Sequence, residues 1–457
     1  MHAHSFFHQT TVQTETSVGI LNVAALPGIF ASQAVSDRFG RTRTLAFASL
    51  LFCAGSFTMA SAHSFGVLVI GRILVGVGLG FGLSIDPLYI AEVAPPKYRG
   101  FFVSWSEFAI NAGILLGFVS AYVFSAEKSW RFMFAAGGIL PVAMLLLSVF
   151  VMPETPRFLL VRKHRPDAAR RVLARLCTTS AEADATFEDI ERSAAFDDQL
   201  EEGWSGIFRP SAGVKLMIIV VVVTAMAQQF SGVEAFMYYS PFLLERAGFA
   251  SDEKAFLITL IMGIIKTLAL IFVAWALDQG TIGRRKLLIA SYSLMAADLI
   301  VLAVAVATSN KTLLVIGMFT YVVFFSLGAG PICWLFASEI IPTRLRAKGM
   351  VLAAGCNRIV ASLVSLTFLS FSDGETGGAA FIFFSCCCVL TSWFVYTTCP
   401  ETRGKNLEGM EPMFERIARR RKLQPWLSIL CSRVAEISSE DEEDSVELVG
   451  VGQARSA

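Results

Sequence analysis

The sequence predicts an all-α protein that crosses a membrane many times, arranged as two pseudo-symmetric groups of helices. Three observations carry this. Hydrophobic residues make up 54% of the 457-residue chain, enough for about a dozen spans at roughly 20 residues each. Charged residues are only 16%, against about 25% in soluble domains, which excludes ordinary cytosolic, secreted and disordered classes. Charged loop motifs also recur along the chain in register. The 38 Lys+Arg and 37 Asp+Glu nearly cancel, so there is no bulk attraction to nucleic acid. The nine cysteines, Cys386, Cys387 and Cys388 among them, lie mostly in apolar runs and show neither metal-ligand spacing nor a disulfide framework.

Residues 1–15 are polar and carry histidine without an apolar core, so they are neither a signal peptide nor a span. The first apolar segment, 16–36, stops at Asp37 and Gly40-Arg41. Segment 44–62 follows, then 66–90, which closes on Glu92, Pro95 and Arg99. Segment 101–124 precedes a loop with Lys128, and segment 131–152 ends at Pro153-Glu154-Thr155-Pro156-Arg157. Residues 153–212 read as a basic, then acidic linker with helical patches around 166–177. Segment 213–242 contains Ser231-Gly232, which loosens a helix. Segment 255–279 ends at Asp278 and leads to Gly283-Arg284-Arg285. Segments 286–308 and 312–340 come next, the second broken at Gly330-Pro331 and closing on Glu339, Pro342 and Arg346. The last two are 349–371 and 377–398, followed by Pro400-Glu401-Thr402-Arg403-Gly404.

Most basic residues lie in the loops after odd-numbered segments and in the tail; the opposite loops hold only Lys128, Arg246, Lys254 and Lys311. The positive-inside rule therefore predicts a cytoplasmic C-terminus and an external N-terminus. Glu92 and Glu339, and likewise Pro153 and Pro400, are offset by 247 residues. Two homologous halves related by an axis along the membrane normal follow from this repetition. The predicted units are residues 1–152, a linker at 153–212, residues 213–398, and a cytoplasmic tail at 399–457. The repeat mate of segment 213–242 would fall before residue 1, so the sequence reads as a six-plus-six design without its first helix.

Ionisable groups inside spans are costly and are functional candidates by default. Here they are Arg72, Asp86, Glu107, Glu234, Lys266, Asp298 and Arg358. Glu107 and Asn111 share a helix face. Gln228 and Gln229 precede the Ser231-Gly232 break, and Glu234 follows it. Lys266 calls for a carboxylate, with Glu234 or Glu107 as the expected supplier. Trp334 offers a flat apolar face beside the carbonyls of a broken helix. Carboxylates, amides and an aromatic face suit a polyhydroxylated ligand. Each group also has a plainer reading: the Lys–Glu pair and the two Gln as helix-to-helix ties, Arg72 as a snorkelling side chain, and Asp86, Asp298 and Arg358 as structural or vestibule residues. The loop motifs read as conformational latches whose Glu–Arg pairs exchange partners as the halves move.

At these residues the sequence resembles the sugar porter family of the major facilitator superfamily. The resemblance rests on Gln228-Gln229-Phe230-Ser231-Gly232, Tyr238-Tyr239-Ser240-Pro241, Gly330-Pro331-Ile332-Cys333-Trp334, Ser338-Glu339-Ile340 and the two Pro-Glu-Thr motifs. Within that family it looks most like plant-type polyol/monosaccharide transporters, through Glu107, Glu234, Lys266-Thr267, Asn357-Arg358 and Thr367-Phe368-Leu369-Ser370. The resemblance implies the major facilitator fold, with eleven of the usual twelve spans, and rocker-switch transport of a polyol or monosaccharide in a plasma membrane. It implies no cofactor beyond a proton as coupling ion, and no nucleic-acid partner. It places Glu107, Gln228, Gln229, Glu234, Lys266, Trp334 and Asn357 at the substrate, to which the helix face adds Asn111. Proton coupling falls on Arg72, Glu107 and Glu234, the usual acidic partner of Arg72 belonging to the first helix. The latch positions are Asp37, Arg41, Glu92, Arg99, Arg157, Asp278, Arg284, Arg285, Glu339, Arg346, Glu401 and Arg403. A non-transporting sugar sensor or an inactive truncated transporter is the alternative, suggested by the acidic tail at Ser438–Ser445. An enzyme is disfavoured, since no nucleophile–base pair, metal cluster or nucleotide loop stands out.

Overall fold

The computed structural model describes residues 10–94, 99–125, 130–177, 179–200, 205–208, 210–246, 248–249, 252–278, 283–342, 345–372, 378–402 and 410–417; within these, the side chains of 99–107, 125, 193–200, 205, 246, 252, 277–278, 347 and 372 are not described. The described residues are helical and contain no strand. The first half comprises α1 (Thr11–Phe39), α2 (Arg41–Ala60), α3 (Phe65–Val93), α4 (Arg99–Ser125), and the collinear pair α5 (Trp130–Gly137) and α6 (Ile139–Phe150). The linker carries α7 (Pro166–Leu176), α8 (Ser180–Leu200) and the single turn α9 (Ser205–Phe208). The second half follows as α10 (Ala212–Phe230), α11 (Val233–Arg246), α12 (Asp252–Asp278), α13 (Arg284–Ala307), α14 (Lys311–Leu327), α15 (Pro331–Ile340), α16 (Arg346–Ser372) and α17 (Ala379–Thr398). A last helix, α18, covers 410–417. Counting α5–α6, α10–α11 and α14–α15 as single spans, ten are long and apolar enough to cross a membrane, and α4 supplies a shorter apolar stretch at Phe108–Phe124.

The first span starts five residues earlier than its apolar run suggests. Thr10 and Gln13 form a reciprocal capping box, which satisfies free N–H groups at the helix start and carries the helix through a polar first turn. Glu15 and Ser17 thereby become buried helical residues. The anticipated breaks are both present. Gly232 takes φ +86° between α10 and α11, a conformation that costs a side-chain-bearing residue about 1–2 kcal/mol. The second break occupies Gly328 to Gly330, between α14 and α15.

Packing within the first half relies on small residues, the usual currency of helix association in lipid. A methyl group on Gly28 would strike the Val77 carbonyl oxygen, one on Gly76 the Leu21 carbonyl, and one on Gly80 the Ala25 carbonyl. The backbones of α1 and α3 are therefore interleaved along several turns. The second half packs around an aromatic cluster: Phe236 lies 4.6 Å from Tyr321, and Tyr239 stacks on Phe368 at 5.5 Å. In the linker, Ala169 and Leu173 of α7 pack on Ala183 and Phe187 of α8, while Arg170 covers the Phe187 ring at 4.6 Å.

Among the described residues, two main seams join the halves. Along α1 and α16, which run antiparallel, Glu15 meets Ser370, Gly19 abuts Leu366, Asn22 meets Arg358, and Phe30 fits the space over Gly355. Along α4 and α12, Gly263 lets Phe118 and Leu115 approach closely.

Candidate ligand site and latches

The two helix breaks face each other, and one amide side chain spans them. Gln228, at the end of α10, donates from Nε2 to the carbonyls of Ala329 (2.9 Å) and Gly330 (3.1 Å). Those carbonyls, expected beside Trp334, are thus occupied by the chain itself. Asn357 on α16 donates from Nδ2 to the Ala225 carbonyl (2.7 Å) and to Gln228 Oε1 (3.0 Å). These bonds fix the Asn357 amide, because turning it would set an oxygen against two acceptors. Its Oδ1 is consequently an acceptor only. It receives Gln229 Nε2 at 3.1 Å, Arg358 Nε at 3.1 Å and Arg358 Nη2 at 2.7 Å.

Three donors converge on one carbonyl oxygen that has two lone pairs. Meanwhile Gln229 Oε1 is buried and has no hydrogen-bond partner. The locality is over-supplied with donors at Asn357 and holds a vacant acceptor one side chain away. A hydroxyl group, which both donates and accepts, corrects both defects at once.

Glu234, in the first turn of α11, forms an ion pair with Arg358, Oε1 to Nη1 at 2.7 Å; the side chains are 12% and 14% exposed. Glu234, one of the two carboxylates expected to serve Lys266, is thus engaged by Arg358 of α16 instead; the side chain of the other, Glu107, lies outside the described residues. Arg358, read as a structural or vestibule residue, is tied to Glu234 and Asn357, both among the candidate ligand residues. Asn22 of α1, fully buried, completes the group. Its Nδ2 donates to Glu234 Oε2 at 2.8 Å, and its Oδ1 accepts from Arg358 Nη1 at 3.1 Å.

The remaining candidates lie as follows. Lys266 is buried on α12 with its ammonium 5.6 Å from the centre of the Phe325 ring. Asn111 is buried on α4, and Trp334 is partly buried on α15. Arg72 on α3 sits over the Phe134 ring at 5.4 Å, and its Nε is buried without a hydrogen-bond partner. Asp298 accepts from the Thr320 hydroxyl at 2.6 Å, within the second half. The Glu107 side chain lies outside the described residues. Two residues escaped the sequence reading. Asn22 is a lone amide in an apolar run, and Glu15 lies in the polar first turn that precedes the apolar run. With Gly19 they form a polar and small stripe at i, i+4 and i+7, a signal that marks one helix face.

The latch motifs assemble twice with the same chemistry. In the first half, the Glu154 carboxylate caps α2 by accepting from the N–H of Arg41 (2.9 Å) and lies against Gly40, whose φ is +103°. Arg41 forks onto Glu92 at 3.0 and 3.1 Å, and Thr155 donates to Glu92 at 2.6 Å. Asp37 adds contacts to Arg41 (3.3 Å) and Arg162 (3.2 Å). In the second half, Glu401 caps α13 through the N–H groups of Arg284 (2.8 Å) and Arg285 (3.2 Å) and lies against Gly283. Arg284 pairs with Glu339 at 3.5 Å, and Thr402 donates to Glu339 at 2.5 Å. A carboxylate at a helix N-terminus is favoured by the dipole and the free N–H groups. None of these contacts joins one half to the other: the first set ties residues 37–92 to the start of the linker at 154–162, and the second ties residues 284–339 to the start of the tail at 401–402. Arg346, at the foot of α16, has Nε and Nη2 buried without hydrogen-bond partners, and burial lowers its pKa. Arg157 is exposed. The side chains of Arg99 and Asp278, and all of Arg403, lie outside the described residues.

The model of the family described as "Sugar (and other) transporter" matches residues 1–414. Probable polyol transporter 4 of Arabidopsis thaliana is 41% identical over 416 residues, covering 89% of this chain and 78% of that protein. The galactose-proton symporter of Escherichia coli (strain K12) is 31% identical over 414 residues, covering 89% and 87%. Among solved structures, the inward open conformation of the xylose transporter XylE from E. coli superposes with a TM-score of 0.75 at 26% identity, covering 90% and 93% of the two chains.

Proposed function

The chain belongs to the sugar transporter family, a family of membrane carriers and not of enzymes, and from that premise we propose how it works. It carries polyols or monosaccharides across a membrane by alternating access, as a major facilitator protein. The carried ligand binds between the halves, where Gln229, Asn357, Arg358 and Glu234 meet, with Trp334 as an apolar face and Lys266, Asn111 and Glu107 completing the wall. The single observation behind this placement is the pairing of an overloaded acceptor, Asn357 Oδ1, with a vacant one, Gln229 Oε1. Vicinal hydroxyls supply donor and acceptor together, which aliphatic, anionic or purely accepting ligands do not. Gln228, spent at both ends in this conformation, sets the geometry of the two breaks.

Transport is coupled to a proton, with Arg72, Glu107 and Glu234 as the groups whose charges respond to it. A galactose-proton symporter among the relatives supports this. Residues 1–152 and 213–398 act as the two moving units, 153–212 tethers them, and 399–457 lies in the cytoplasm together with the latches of the plasma-membrane protein. The latches hold each half rigid, and Arg346 is the cation free to change partners when the halves rock.

The test is uptake of labelled sorbitol, inositol and glucose in transporter-deficient yeast, at acidic and at slightly alkaline external pH, with surface expression checked. Acid-stimulated uptake of one of them is expected. No uptake of any polyol or hexose by a surface-expressed carrier refutes the reading.

A further inference from the structure

The Glu234–Arg358 pair belongs wholly to the second half, yet its third member does not. Asn22 comes from α1, and its amide is inserted with N–H toward the carboxylate and C=O toward the guanidinium. That orientation is forced: the reverse would place N–H against N–H and oxygen against oxygen. Asn22 lies on the face that carries Glu15 and Gly19, the face pressed along α16. It is therefore a polar tie between the halves at the depth of the ligand site, and both of its bonds go to the groups a ligand would engage.

We propose that Asn22 is a positioning residue for transport: it holds the Glu234–Arg358 pair in the empty carrier and yields both bonds when ligand hydroxyls take them. This rests on the ligand site proposed above. Its consequence is that occupancy is felt at the seam. Without ligand, Glu234 and Arg358 anchor α1, and with it the first half, to α16 and α11. With ligand, the same two groups are satisfied by hydroxyls, and α1 is released on this face. A ligand moves a conformational equilibrium only through interactions that differ between states, and the exchange of Asn22 for ligand is such a difference. The amide is suited to this because it is neutral: its departure leaves the charges of Glu234 and Arg358 balanced against each other.

The experiment compares exchange with net uptake. If the empty carrier is held by Asn22, exchange of labelled sorbitol against internal sorbitol runs faster than net uptake, because only the loaded carrier moves easily. Asn22→Ala should bring the exchange-to-net ratio to about one, since the empty carrier is then equally free. Asn22→Ser, which keeps one bond, should give an intermediate ratio and covers the case in which the alanine variant fails to reach the surface. Phe30→Leu loosens the same seam at Gly355 without touching the charged pair, and should leave the ratio unchanged. A second readout does not need flux: thiol cross-linking between Glu15→Cys and Ser370→Cys, in a background without the native cysteines, followed with and without sorbitol, inositol or glucose. Sorbitol-dependent cross-linking is expected in the parent and not in the Asn22→Ala form. Equal ligand dependence in both, or an unchanged exchange ratio, overturns the role of Asn22. Ligand independence in a parent that still takes up one of the three ligands also overturns the role of Asn22, whereas absence of uptake of all three overturns the proposed function itself.

Discussion

Removing Arg358 should harm the carrier more than removing Arg358 and Glu234 together. At 2.7 Å, two unit charges attract by about 6 kcal/mol if the effective dielectric is about 20. Desolvation of both ions offsets several kcal/mol of that, so the intact pair contributes little net stability. Truncating one partner is different, because the other charge stays buried alone, at a typical cost of about 3–5 kcal/mol. Arg358→Met also strips a donor from Asn22 and two from Asn357. Glu234→Gln loses less, since an amide can still accept from Arg358, and about 2–3 kcal/mol is expected from the loss of a charge-assisted bond. The double variant has no orphan charge and should fall between the parent and Arg358→Met. The assay is the fraction of purified, detergent-solubilised carrier that stays monodisperse after heating, for the parent, both singles and the double. If the double variant loses as much as the two singles added together, the pair is uncoupled and the geometry of the site is misread.

Four further outcomes follow. Gly232→Ala combines a positive φ with a methyl group 2.7 Å from Phe384 Cδ2, so a loss of about 2–4 kcal/mol is expected from strain and overpacking, visible as reduced heat resistance. Glu401→Ala removes the cap of α13 and the brace on Gly283, and Glu154→Ala removes the matching cap of α2; each should cost about 1–2 kcal/mol in the same heating assay, and a neutral result in both would show the caps to be ornamental. Glu15→Gln weakens two bonds to Ser370, one to its N–H at 2.8 Å and one to its hydroxyl at 2.6 Å. Modification of an engineered thiol at the outer end of α16 by an impermeant reagent should then become faster, and unchanged labelling would remove Glu15 from the closure of that end.

The sequence made the spans legible because apolar runs of spanning length are bounded by charge, glycine or proline, and those signals are local. The latches were legible for another reason: Glu92 with Thr155, and Glu339 with Thr402, are built from motifs that recur at one offset, and repetition makes long-range partners visible. The partner of Glu234 was not legible. Arg358 lies more than a hundred residues away, and nothing in the chemistry of a lone carboxylate prefers a guanidinium on α16 to an ammonium on α12; α11 packs against both helices, and only the three-dimensional placement of Glu234 beside Arg358 and Asn22 decides. Asn22 was hidden because a single amide in a run of Leu, Val and Ala has the statistics of a structural tie. The first turn of α1 was hidden by hydropathy, which cannot see that Thr10 and Gln13 cap one another.

The interleaving of α1 with α3 has a mechanical consequence. Helices whose side chains interdigitate can slide by changing rotamers, but Gly28, Gly76 and Gly80 set backbone against backbone and leave no such slack. Together α1 and α3 form a stiff beam, so a small rotation near Asn22 is delivered undiminished to the far end. From Asn22 to Phe39 α1 runs about 26 Å, and a rotation of about 15°, the size seen in rigid-body transitions, sweeps that end through about 7 Å. That is more than twice the length of a hydrogen bond. A change in two bonds at the centre is thus geared up to a stroke that shifts one latch face past the other, while pairs such as Arg41–Glu92 travel with their own half.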